Sequence, residues 1–116
     1  MRRSSSLAAD KLVEAAPVFA ALGDATRLRI VARLCLAGPQ SIVRLTDGGR
    51  VTRQAVTKHL HALAEAGLVR STREGRERIW AIDPHRLAAA NRWLEQISKQ
   101  WDDTIDRLRA FVETDD

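Results

Sequence analysis

A chain of 116 residues is long enough to bury one core and too short for a second. Its 45% hydrophobic and 29% charged content excludes global disorder, and its single cysteine, Cys35, excludes an intrachain disulfide framework and an all-cysteine zinc site. The net charge of +4 is unevenly spread: residues 24–82 carry 11 Lys/Arg against 5 Asp/Glu, whereas residues 83–116 carry 5 against 8, so the middle calls for a polyanionic partner.

The N-terminal MRRSSS has the charge of a secretion signal, but Asp10, Lys11 and Glu14 fall where its apolar stretch should be. Residues 1–9 are expected to form a flexible tail and residues 10–114 a single domain, in a cytoplasmic protein. The longest apolar run, Ala15 to Leu22, contains Pro17 and falls far short of the roughly 20 residues that span a bilayer, so no membrane partner is expected.

In GDATRLRIVARLCLAG, Asp24 is a candidate N-cap and Gly38-Pro39 a stop signal. Leu28, Val31, Leu34 and Cys35 share a helical face opposite Arg29 and Arg33, which predicts Cys35 as a buried, inert small hydrophobe. SIVRLT allows one or two helical turns, and the paired glycines of DGGR read as a turn.

The next stretch, VTRQAVTKHLHAL, starts a helix capped by Thr52 and ended by Gly67. At about 100° per residue, Val56, Leu60, Leu63 and Ala64 form an apolar stripe, with Gln54, Lys58, His61 and Thr57 on the other side. His59 and His61 lie about 200° apart, too far round the helix for a shared metal ion. His61 is expected to reach a phosphate, and His59 to be packed or bonded to backbone.

LVRSTREGRERIWAI reads as two short strands around EGR, crowded by Arg70, Arg73, Arg76 and Arg78. Asp83 and Pro84 then open a last helix of about 28 residues, some 40 Å long. Leu87, Ala90, Leu94, Ile97, Trp101, Thr104, Leu108 and Phe111 step along it by threes and fours, widened by Trp93, Ile105 and Val112. So long a seam exceeds what this core can cover, which predicts packing against a second copy. The carboxylates of WDDTID project outward as a solvated acidic face.

The fold class that follows is mainly α with a small β-hairpin, a winged helix-turn-helix of four helices, two strands and a last long helix. Such a fold sets the N-terminal residues of one helix against base edges in the major groove and lets a basic hairpin reach flanking phosphates.

FAALGDATRLRIVARL, TRQAVTKHLHALAEAGLV and REGRERIWAIDPHRL, spread over about residues 15–113, resemble the ArsR/SmtB-type winged-helix repressors of prokaryotes. The resemblance implies a homodimer held by its first and last helices, bound to a palindromic operator in double-stranded DNA and released by a signal. It implies recognition positions at Thr52, Arg53, Gln54, Thr57 and Lys58, and a wing tip at Arg73, Gly75 and Arg76. NRWLEQISKQWDDTIDRLRAFV resembles a branch without metal sites whose last helix carries tryptophans, often encoded beside small ligand-binding or stress-related proteins. The Cys-x-Cys of metal-responsive members is missing from SIVRLTDG, and His85 has no second His downstream in the last helix. No metal and no cofactor are expected.

Arg53, Gln54 and Lys58 are the candidate base readers, with Thr52, Thr57 and His61 positioning the backbone. The expected dimer surface comprises Val18, Leu87, Trp93, Leu94, Ile97, Trp101, Ile105 and Leu108. Two alternatives stay open. One is control by a small-molecule effector bound beside the tryptophans at the dimer seam, or by a partner; the other is a protein-interaction module that has lost operator binding. An enzyme is not expected, because no nucleophile, base and orienting group occur together and no glycine loop cradles phosphate.

Overall fold

The computed structural model describes residues 13–114; the expected tail at residues 1–9 lies outside the described residues. The elements run α1 (Ala16–Leu22), α2 (Ala25–Ala37), β1 (Gln40–Ser41), α3 (Ile42–Thr46), α4 (Arg53–Glu65), β2 (Val69–Glu74), β3 (Glu77–Ile82) and α5 (Pro84–Thr114). Local chemistry sets most of these boundaries. Asp24 accepts the Arg27 backbone N–H at 3.0 Å to start α2, and Asp83 accepts that of His85 at 3.0 Å just ahead of Pro84 in α5.

The end of α4 is closed by Gly67. Its N–H reaches the Ala64 carbonyl at 2.9 Å, and that of Leu68 reaches Leu63 at 3.0 Å, the paired bonds of a Schellman stop. That closure requires the left-handed backbone Gly67 adopts, φ +79°. Leu68 is thereby swung back into the core, fully buried with Leu60 and Leu63. Val18, Ala21, Ile30, Val31, Leu34, Leu45, Val56, Val69, Trp80 and Ala90 join them in that core, from which each large side chain draws about 1.5–3 kcal/mol of transfer free energy.

The sheet has three strands, not the two of the expected hairpin. β1 joins the outer edge of β3 antiparallel, Gln40 opposite Trp80 and Ser41 opposite Ile79, giving the order β1-β3-β2. Two residues after Pro39 carry no periodicity that marks a strand; the pairing exists because β3 offers an unfilled edge about forty residues downstream. Ser41 then turns the chain, its Oγ accepting the Arg44 N–H at 3.3 Å to start α3.

One expectation about packing is corrected. The buried side of α2 is Ile30, Val31 and Leu34, whereas Cys35 and Leu28 are exposed. They sit about 100° and 120° round the helix from Leu34, at the margin of an apolar arc wider than the core behind it. Val18 is 1% exposed within its own protomer. Leu87 and Trp93 pack against the same core, Trp93 edge-on to Phe19 with ring centroids 6.3 Å apart.

Beyond them α5 runs free of its own protomer. It has 31 residues, about 46 Å at 1.5 Å per residue, and buries only Ala90. Leu94, Ile97, Trp101, Leu108, Phe111 and Val112 are exposed, Trp101 by 64%, and Ile105 is half-buried. No helix among the described residues is long and apolar enough to cross a membrane.

Candidate nucleic-acid interface

Helix α4 is fixed from behind and free in front. Val56, Leu60 and Leu63 are buried, which locks its rotation; Gln54 and Lys58 are exposed on the opposite side, and Arg53 is exposed in the first turn, about 60° from Val56. Thr52 caps the helix by accepting the Ala55 N–H at 3.1 Å, leaving its hydroxyl proton free to donate outward. The half-buried Thr57 turns its hydroxyl onto the Arg53 carbonyl at 2.8 Å, so only its acceptor lone pairs remain for a ligand.

The two histidines part company, with partners that the sequence does not show. His59 is half-buried, in keeping with the packed one of its two expected placements, and its Nδ1 accepts the Arg27 Nε–H at 3.2 Å. The same nitrogen stands 3.9 Å from the Asp24 carboxylate. The Asp24 carboxyl is held below the usual carboxylate range, chiefly by the backbone N–H of Arg27; burial opposes this and the Arg27 guanidinium assists. α4 is thus joined to the capped start of α2. The contact pairs residues 32 apart, so no local signal announces it. His61 is exposed and stands edge-on to Trp80 of β3, centroids 5.7 Å apart.

The wing turns through Gly75 and Arg76, with Gly75 at φ +63° and no positive φ at Arg76, as in a type II′ hairpin. Arg73 faces Arg78 directly across the strands, and Glu74 faces Glu77. Because side chains alternate, one face of the wing tip carries the arginines and the other the glutamates. Like charges opposite each other destabilise a hairpin unless something neutralises them. Arg78 is engaged with Ser71 Oγ at 3.0 Å, while Arg73 and Arg76 are exposed.

The structure brings the two parts together: Arg53 shares a shallow depression with Glu77 and Arg78 of the wing and with Ser41 at the start of α3. The positive end of the α4 dipole, exposed cations on helix and wing, and bidentate donors at Arg53 and Gln54 suit a phosphate-lined groove with base edges at its floor. Among the described residues no group of three His, Cys, Asp or Glu side chains stands where it could hold a metal ion.

Residues 22–72, which contain α2 to α4 and the first part of the wing, match the model of a helix-turn-helix domain family. The fold is similar to that of an ArsR-like transcriptional regulator from Rhodococcus sp. RHA1, with TM-score 0.74 and 38% identity over 85% of this chain and 92% of that one. It is also similar to the homodimeric winged helix-turn-helix DNA-binding domain Mb0332 from Mycobacterium bovis, with TM-score 0.61 and 25% identity over 86% and 87% of the two chains. In sequence the chain is 36% identical over 90 residues to YuzN, an uncharacterized HTH-type transcriptional regulator of Bacillus subtilis, covering 72% of this chain and 90% of that protein. A shared helix-turn-helix, the surrounding winged fold and this extent of identity lead to one conclusion: the chain belongs to the ArsR family of helix-turn-helix transcriptional regulators.

Proposed function

We propose that the protein is a non-catalytic, sequence-specific repressor that binds a palindromic operator as a homodimer, commonly that of its own operon, and does not sense metal. The observation that carries this reading is the exposure of Gln54 and Lys58 on the side of a helix opposite the buried Val56, Leu60 and Leu63, with Arg53 exposed in its first turn. Two such helices would enter successive major grooves about 34 Å apart. Arg53 suits guanine O6 and N7, Gln54 suits adenine N6 and N7, and Lys58 reaches a base or phosphate beside them. Thr52 and His61 donate to the sugar-phosphate backbone, Thr57 lines the same face with its acceptor lone pairs, and Arg73 and Arg76 extend the contact at the wing tip.

The dimer reading is supported by the uncovered seam of α5 at Leu94, Ile97, Trp101, Ile105 and Leu108, and by the homodimeric M. bovis relative. The reading without metal is supported by the absence of Cys and His from SIVRLTDG, which forms α3 and its turn. The test is a mobility-shift series on the operator. Lys58→Ala lowers affinity several-fold or more without altering dimer stability, and Arg73→Ala weakens binding to all sequences alike and reduces the salt slope by about one. Unchanged affinity in both variants refutes the assignment.

A further inference from the structure

A cleft of about 390 Å³ lies between α2, the end of α3 and the turn leading into α4. Its floor is apolar: Ile30, Leu45 and Val56 are buried, with half-buried Val51 beside them. Its rim is cationic, with Arg29, Arg33 and Arg50 all lining it and no carboxylate among the lining residues. Among the described residues none of these arginines forms an ion pair, and Arg33 is held across the cleft by donating to the Leu45 carbonyl at 3.4 Å. The volume is that of a small-molecule site, and three guanidinium groups above an aliphatic floor select an anion with an apolar body.

From this juxtaposition we infer that the cleft binds a small monocarboxylate with an aromatic or branched aliphatic body, its carboxylate held by the arginine forks and its apolar part seated on Ile30, Leu45 and Val56. The duplex is the poorer occupant. Val56 lies about 160° round α4 from Gln54 and from Lys58, so DNA seated against those side chains leaves the cleft on the far side of the helix, and Arg53, nearer to Val56, does not line it. The site is also separate from the tryptophans of α5, none of which lines it. An occupant joins Arg29 and Arg33 of α2 to the Gly49–Val51 turn, which sets where Thr52 starts the recognition helix. Occupancy therefore changes operator affinity; this consequence alone rests on the proposed operator binding, and the site itself does not.

The test is an amide-resolved NMR titration of the full chain with benzoate and phenylacetate, alongside benzamide and inorganic phosphate. Both carboxylates should give saturable shifts centred on Thr26, Ile30, Thr46, Gly49 and Val51, with dissociation constants on the order of a millimolar or tighter. Benzamide and phosphate should bind at least about tenfold more weakly, the first lacking charge and the second an apolar body. Arg29→Gln with Arg50→Gln should weaken benzoate binding about tenfold or more, with the melting temperature and far-UV spectrum unchanged; Arg33 is left in place because it bonds Leu45. Shifts confined to α5, no saturation, or phosphate matching benzoate would overturn the inference. It is equally overturned if the double variant loses operator affinity yet binds benzoate as before, which would assign the rim to the DNA backbone. A chain that binds benzoate as described but no operator would refute the proposed function and leave the site established.

Discussion

The imidazole of His61 stands perpendicular to the indole of Trp80 at 5.7 Å, and so joins α4 to the central strand of the sheet. Trp80 is buried with its Nε1–H unpartnered among the described residues, so the helix and the sheet meet over a ring that is sensitive to repacking. His61→Ala is expected to cost about 0.5–1 kcal/mol in urea unfolding, the lower part of the range for an aromatic pair because His61 is exposed. His61→Phe should restore that stability and still bind operator more weakly than the parent, since phenyl cannot donate to a phosphate. Equal stability of parent and alanine variant would remove His61 from this joint.

Ile97→Glu and Trp101→Glu each place a charge on the uncovered face of α5. Both positions are exposed in the protomer, so the folded monomer tolerates the change, but a buried dimer seam does not. Sedimentation should show monomers at concentrations where the parent is dimeric, with operator affinity lost in parallel. A dimer that persists in both variants would place the subunit contact elsewhere.

Gly67→Ala is expected to destabilise the fold by about 1–3 kcal/mol, measured by thermal or urea unfolding. The backbone there has φ +79°, and an added Cβ would come within 2.9 Å of Arg86 Nε. Gly75→Ala supplies the comparison: its φ is +63° but nothing lies within 4 Å of the added carbon, so the cost should be the smaller, about 1 kcal/mol. If the two substitutions cost the same, the crowding at Arg86 is relieved freely.

Asp24 gives a pH dependence of known sign. The Arg27 backbone N–H, first among its partners, lowers the carboxyl below its ordinary value of 3.8, so the carboxylate form is favoured by folding. Its contribution is complete above the unfolded value and is lost as pH falls through the lower folded one. Unfolding free energy measured from pH 6 downward should therefore fall less steeply below about pH 4 in Asp24→Asn, which keeps an N-cap acceptor but cannot titrate. Identical acid limbs for the parent and the variant would refute the role of this carboxylate.

The caps at Asp24, Thr52 and Asp83, the stop at Gly67 and the stripe of Val56, Leu60 and Leu63 were all legible in the sequence, and with them the helix order and the outward set of Arg53, Gln54 and Lys58. These features are local: each depends on residues within about one or two turns, where backbone hydrogen bonding and a 3.6-residue period leave few options. Only the tertiary structure decided which part of a wide apolar arc is covered. It left Leu28 and Cys35 outside and buried Val18 within the protomer, because the limit is the size of the core and not the pattern on the helix. It also decided the pairing of Gln40–Ser41 with Ile79–Trp80, the bond between His59 and Arg27, and the meeting of three arginines over Ile30, Leu45 and Val56. These join segments up to about forty residues apart, and such contacts are selected by the free edges and uncovered groups that remain once local structure has formed.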